Sequence, residues 1–500
     1  NTIITRQEIE DRGYATVQQA LEAQPGVSIN GDAPSNRQIR IRGGEANHTL
    51  VLIDGVRAAA GDTEYELRGL DASYIERIEI LRGPQSVPFG TDASSGVINI
   101  ITREATEGLN YGGSVEFGEG DRQSAYLSYG GDASHISVNL SNLNDRGFNS
   151  SGADGNRDGR RWEAASAKGE LEITNQTTLG FRLRAFDAVY EFDGDDSDAD
   201  SATGYIVERN NTSDLNERSG SLYLNQSAMG GRLSHRLRFD RTTQKAADEN
   251  EDYGPSRTDL TTEVANYRLQ AALDQSEVAT SDQLISLLLE RREDRDRAGE
   301  GKRENTSAAL EFRGWVTDSA SLQAGLRRDD NSEFANETTW NVAGSYFLGS
   351  GVRLHASAGR AVVNPGFSDI FGGEFQPANP DVIPEINVGY DIGVEIPLPQ
   401  GMGFVDATYF NETLDNKIEF DPATFKSVNV EGESDRQGLE VSAYLSPIDS
   451  LDVSLGYTYT DATNPDGEIE TRRPRNEIGL STTWRLPNGA TTLSGGGRYV

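Results

Sequence analysis

The chain is predicted to be mainly β: a large antiparallel barrel that follows a small mixed α/β domain. Three observations point there. The apolar pattern changes character near residue 105. From Tyr111 onward, apolar and polar residues alternate in segment after segment, the period of a strand with two unlike faces. The connections between those segments are short and long by turns, as in a barrel with tight turns at one rim and large loops at the other.

The first domain, residues 1–105, builds in order. Thr5 is placed to cap a short helix, with Glu8 three residues on. A second helix is predicted over 17–23, stopped by Pro25-Gly26. Short strands follow over 27–30, 38–42, 49–53, 75–81 and 96–102. In the last pair Ile78 and Ile80 alternate with Glu79, and Arg82-Gly83-Pro84 breaks the strand. Gly90 and Gly96 punctuate the return to a buried run, Val97-Ile98-Asn99-Ile100-Ile101.

The second domain, residues 106–500, is read from its alternation. Leu451, Val453, Leu455, Tyr457 and Tyr459 share one face; Asp452, Ser454, Gly456, Thr458 and Thr460 share the other. Leu439, Val441, Ala443 and Leu445 likewise oppose Glu440, Ser442 and Tyr444. A sandwich would show the same alternation, so the connections decide. Short links at Leu348-Gly349-Ser350-Gly351, Ser446-Pro447-Ile448-Asp449 and Pro487-Asn488-Gly489 alternate with long polar ones near 144–160, 191–218, 243–260, 361–384 and 461–475. A sandwich has loops of mixed length at both ends. About 19 strand candidates of roughly 10 residues each fit between 111 and 500.

Composition bounds the function. Hydrophobic content is 35% and mean hydropathy −0.58, values of a soluble protein of two or three domains. No window approaches the roughly 18–20 apolar residues of a membrane helix. A membrane barrel turns only every second residue to lipid, so composition alone does not separate the two. The absence of cysteine excludes disulfides, thiol catalysis and cysteine metal sites. A formal net charge of −34 argues against nucleic-acid binding. His48, His135, His235 and His355 are far apart and show no metal-ligand spacing, and the sequence offers no nucleophile elbow, phosphate loop or paired His and carboxylate that suggests hydrolysis. Enzyme activity is not expected. The chain begins at Asn1 without a leader, so an export signal would have been removed or left out.

Four segments of the first domain, in order, resemble the plug signature of TonB-dependent outer-membrane receptors. They are residues 19–27 ending in Pro25-Gly26-Val27, Ile39-Arg40-Ile41-Arg42-Gly43, Leu50-Val51-Leu52-Ile53-Asp54-Gly55-Val56, and residues 75–102. Segments from Arg327 to Phe334, Asn364 to Gly372 and Asn379 to Glu385 look like the branch that holds cobalamin and siderophore receptors. The resemblance implies a transmembrane barrel of 22 strands with the first domain as a plug in its lumen. With about 19 candidates present, and residues 491–500 stopping in mid-strand, the barrel is expected to be incomplete at the C-terminus.

The same resemblance implies site residues. Arg42 and Arg82 occupy the places of plug arginines that face wall carboxylates, here Glu440 and Asp391; the alternative is that both are ordinary cations in turns. Gln38, Glu45, Asp62 and Thr63 are the candidate substrate contacts, although Glu45 stands where cobalamin receptors have asparagine. Asp62, Glu64 and Glu66 would make the plug apex acidic and hostile to anionic ferric siderophores. His48 is expected to pack beside the 49–53 strand.

Calcium is the metal candidate. Asp154, Asn156 and Asp158 set oxygen ligands at alternate positions before Gly159, a spacing that can wrap a hard cation. Asp193, Asp195, Asp196, Asp198 and Asp200 form a second acidic cluster. Cobalamin receptors bind calcium in this region; a solvated acidic loop is the alternative. No other cofactor is expected. The implied function is energy-coupled uptake of a cobalamin or other corrinoid, with a ferric siderophore second. A TonB-type periplasmic protein would act on a segment before Asn1. A non-transporting adhesin or docking protein on the same scaffold is the reading from another class.

Overall fold

The computed structural model describes residues 2–30, 38–65, 67, 70–118, 120–149, 151, 156–195, 206–299, 301–373, 376–488 and 491–500. The first domain is built on a five-stranded sheet in the order Thr2–Thr5, Ile75–Arg82, Gly96–Thr102, Thr49–Ile53, Val56–Arg57. Gly96–Thr102 runs parallel to Thr49–Ile53, and the other neighbours are antiparallel. Asp54 and Gly55 both hold positive φ, 50° and 77°, the type I′ geometry that turns a two-residue hairpin. A separate ribbon pairs Val27–Asn30 with Gln38–Ile41.

Local chemistry shapes the helices that pack on this sheet. Thr5 Oγ1 accepts from Glu8 N at 3.3 Å, and Gly13 (φ 69°) ends the Arg6–Arg12 helix. Thr16 caps Val17–Glu22 in the same way. Ile4, Ile9, Val17, Leu21, Ile39, Ile41, Ile78, Ile80, Ile98 and Ile100 fill one core. The Thr2–Thr5 strand and the short Ser86–Phe89 helix were not expected from the sequence.

From Gly108 the chain forms nineteen antiparallel strands in sequence order, curled into a barrel. The last strand, Thr492–Tyr499, pairs in register with Asn476–Arg485; among the described residues no register joins it to Gly108–Glu116, the strand it faces across the seam. The burial pattern is inverted relative to a soluble sandwich. Leu222, Leu224, Leu237, Phe239, Leu289, Leu310 and Leu326 point outward and exposed, while Glu217, Asp240, Arg292, Asp294, Arg303 and Arg327 are buried inside. A continuous apolar exterior around a charged interior is the arrangement that lipid requires. At the short-turn end, Trp315 and Phe347 have ring centroids 5.9 Å apart and Phe404 and Tyr444 6.3 Å; Trp315, Phe404 and Tyr444 line a cavity inside the barrel.

Two expectations about the barrel are corrected. Strands are far longer than ten residues: Ile206–Ala228 has 23 and Thr177–Asp195 has 19. Residues 206–218 and 243–249, read as loop, therefore continue as ladder. Past the lipid band both faces of a strand are wet, so alternation stops while backbone pairing goes on. Among the long connections, 364–384 carries the helix Phe367–Phe371, and a hairpin of Ile418–Asp421 with Lys426–Asn429 rises between two barrel strands.

Candidate functional site

The plug meets the barrel wall through charged residues at two heights. On the short-turn side, the turn after the Val17–Glu22 helix and the end of the Gln38–Ile41 strand converge on one barrel carboxylate. Arg42 Nη2 donates to Glu440 Oε2 at 2.8 Å, with its Nη1 3.5 Å from Asp391 Oδ2. Arg82 Nε stands 3.4 Å from Glu440 Oε1; its other nitrogens donate to Thr2 Oγ1 and the Pro25 carbonyl at 2.7 Å each. The Arg42 guanidinium also lies over the Phe410 ring, 4.7 Å from its centroid.

Glycine is required beside this contact. Gly26 has φ 68°, and a Cβ built there falls inside the van der Waals shell of Glu440 Oε1. Burial pulls the Arg42 pKa down, but Glu440 and Asp391 outweigh it and hold the guanidinium above its ordinary value. For Arg82 burial prevails, and the pKa lies below the ordinary one. Under these residues a cavity of about 1750 Å³ lies between the plug and the wall; Arg42, Arg82, Asp391, Glu440, Arg268 and Arg313 all line it.

The second contact lies toward the long connections. Asp62, at φ 55°, has a fully buried side chain. It pairs with Arg303 at 2.6 Å and with Arg292, and Asn364 Nδ2 approaches at 3.4 Å. Arg303 continues to the Pro365 carbonyl and sits over the Phe367 ring at 4.7 Å. Burial alone would raise the Asp62 pKa; Arg292 and Arg303 reverse that and hold it well below the ordinary aspartate range. Asp92, which reaches Arg57 at 3.0 Å, is pushed well up by burial and by the Asp62 charge. The expectation that Asp62 presents an acid at the plug apex is therefore corrected. Two barrel arginines from strands more than two hundred residues downstream enclose it.

The remaining apex candidates divide. Glu45 and Gln38 are joined through Arg40, whose Nη1 donates to Glu45 Oε2 at 2.9 Å and whose Nη2 donates to Gln38 Oε1 at 2.8 Å. Glu45 also pairs with Arg473 and lies 3.5 Å from Lys417 Nζ; both cations contact Glu470. Burial would raise the Glu45 pKa, but Arg473 and Arg40 draw it well below the usual range. Gln38 Nε2 donates to Glu64 Oε2 at 2.7 Å. The apex is thus a compensated ionic network rather than a bare acidic surface. Thr63 stands apart, donating to the Ala60 carbonyl at 2.9 Å and facing Gln244 at 3.4 Å. His48 is fully buried, with Nε2 2.8 Å from Glu385 Oε2 of the wall. Lys417, Glu470 and Arg473 were missed because only the fold brings their connections over the plug.

Of the calcium candidates, Asp154, Asp196, Asp198, Asp200 and the Asp195 side chain lie outside the described residues, as does Glu66 of the apex. Asp193 accepts from the Ser151 and Arg209 backbone N–H groups at 2.9 and 3.1 Å. Asn156 N donates to Glu208 Oε1 at 2.8 Å, and Asp158 is buried at the base of its strand. The two predicted loops thus meet, with Glu208 between them. Among the described residues no cluster of three or more His, Asp or Glu forms a metal site.

Comparison with known proteins bears on both domains. The family described as TonB-dependent receptor plug domain matches residues 1–97, and the TonB-dependent receptor-like β-barrel family matches residues 99–500. The vitamin B12 transporter BtuB of Vibrio cholerae serotype O1 is 27% identical over 461 residues, covering 88% of this chain and 71% of that protein. Among solved structures, a mutant of the ferric enterobactin receptor PfeA from Pseudomonas aeruginosa superposes with a TM-score of 0.82 at 20% identity, over 99% of this chain and 85% of that one. The siderophore receptor PirA from Acinetobacter baumannii gives 0.80 at 20% identity, over 97% and 84%.

Proposed function

The chain belongs to the TonB-dependent receptors, and on that premise we propose that it imports a large, scarce nutrient across the outer membrane, a cobalamin or related corrinoid before a ferric siderophore. The observation that carries this reading is the plug itself. It stands inside the barrel and is tied to the wall by Arg42–Glu440 on one side and Asp62–Arg303 on the other. A lumen filled in this way has to be opened for each passage, which suits tight capture and energised release rather than open diffusion. The corrinoid is placed first because the vitamin B12 transporter aligns over most of the chain.

In this reading the Glu45–Arg473–Lys417 network, with Gln38 and Glu64, forms the floor on which the nutrient rests. A TonB-type coupling protein pulls on the plug from the periplasmic side. Calcium at Asp154, Asn156, Asp158, Asp193, Asp195 and Asp196 orders the loops above. Equilibrium binding of cyanocobalamin and of ferric siderophores to the full-length receptor in detergent, with and without calcium, tests it. Saturable cobalamin binding is expected, tighter with calcium; siderophore binding alone transfers the function to the second cargo class.

A further inference from the structure

Almost every buried arginine of the lumen wall has an acid within reach: Arg184 with Glu217 at 2.9 Å, Arg327 with Glu290 at 2.8 Å, Arg436 with Glu412 at 2.9 Å. One strip breaks the pattern. Arg182, Arg236 and Arg268, part-buried, and Arg313, exposed, share the lumen face of four strands, and among the described residues none forms an ion pair or donates a hydrogen bond to protein. Arg236 and Arg268 are directly opposed cross-strand partners, where like charges repel. Arg182 and Arg236 both stack on the Tyr223 ring, at 4.7 and 4.5 Å. The buried Nε atoms of Arg182 and Arg236 have no acceptor. Glu311, on the strand of Arg313, stands outside ion-pair distance and accepts from Gln323 instead.

The strip begins just beneath the plug. Arg238, its one paired neighbour, holds Asp240 at 2.6 Å and donates to the Gly55 carbonyl of the plug hairpin at 2.7 Å. From there Arg268 and Arg313 open onto the 1750 Å³ cavity on the short-turn side. Four guanidinium groups gathered with no ion pair among the described residues, and with Glu311 of the same cavity as the carboxylate facing Arg268 and Arg313, cost mutual repulsion and, for the part-buried Arg182, Arg236 and Arg268, desolvation. An occupant with delocalised negative charge removes both costs, because the guanidinium fork matches the oxygens of carboxylate and phosphate.

We infer that Arg182, Arg236, Arg268 and Arg313 form an anion-binding site inside the lumen, taking a polyphosphate or polycarboxylate group such as an anionic cargo carries on its way out. The inference rests on the receptor reading only for the direction of travel. The site itself is probed directly with pyrophosphate, titrated calorimetrically at low salt into the full-length receptor in detergent. Wild type is expected to bind saturably, and less tightly as sodium chloride is raised. Combined Arg236→Gln and Arg268→Gln should weaken binding at least about tenfold, whereas Arg268→Lys should keep most of it. Arg241→Gln, on the outward face beside Glu263, should bind as wild type does. Arg236→Gln removes a like-charge pair, so its thermal midpoint without anion should not fall, which guards against a folding defect. Absence of saturable binding, or equal affinity in the double variant, overturns the site and leaves nutrient import standing. Failure of the nutrient assays leaves this titration unaffected.

Discussion

Arg42 of the plug and Glu440 of the barrel wall, 398 residues apart in sequence, meet at 2.8 Å in a buried contact that Arg82 shares at 3.4 Å. Removing the carboxylate leaves two guanidinium groups buried without it. Glu440→Ala should therefore weaken docking of the plug by about 3–5 kcal/mol. Limited proteolysis of the receptor in detergent reads this: cleavage within residues 1–105 should accelerate while the barrel stays resistant.

Gly26 gives an independent handle on the same contact. Gly26→Ala places a Cβ against Glu440 Oε1 and forces a non-glycine residue to φ 68°. In a double-mutant cycle with Glu440→Ala, the cost of Gly26→Ala should shrink by about 1–2 kcal/mol, because the clash goes with the carboxylate. Strict additivity would mean that backbone strain alone sets the cost.

The Asp62–Asp92 pair predicts a dependence on pH. The folded pKa of Asp62 lies below its ordinary value, so its contribution is complete above about pH 4 and is lost as pH falls toward the folded pKa. The folded pKa of Asp92 lies above the ordinary value, so its contribution is complete below about pH 4 and is lost as pH rises through the folded pKa. Asp92→Asn cannot ionise. Urea unfolding from pH 4 to pH 8 should show the variant gaining on wild type as pH rises, and the reverse trend would contradict the pairing.

The outer face predicts a lipid-facing penalty. Leu310 lies on the exterior and is half exposed. Leu310→Arg should cost about 2–4 kcal/mol if it sits near the bilayer midplane, measured as folding efficiency into liposomes. A similar change at Glu419, exposed on the 418–429 hairpin, should leave folding unchanged.

Much of the plug was legible because its instructions are local. Thr5, Pro25-Gly26 and Asp54-Gly55 each act within a few residues, and the strands over 27–30, 49–53 and 96–102 stand where the pattern put them. Arg42, Arg82, Asp391 and Glu440 were singled out through a family likeness, and the fold brings them together. Asp62 was misplaced because its character depends on Arg292 and Arg303, whose register opposite the plug no local pattern encodes. The long strands were misread where alternation ends but pairing continues. The Arg236–Arg268 opposition is visible only once two strands are in register.

The most direct test of the whole reading is uptake of radiolabelled cyanocobalamin by cells that express the full-length receptor, with and without a functional energy-coupling protein. Plugged, energy-gated import predicts that surface binding persists in both strains while accumulation inside occurs only in the coupled one. Accumulation independent of coupling would contradict the claim that the plug must be moved for cargo to pass.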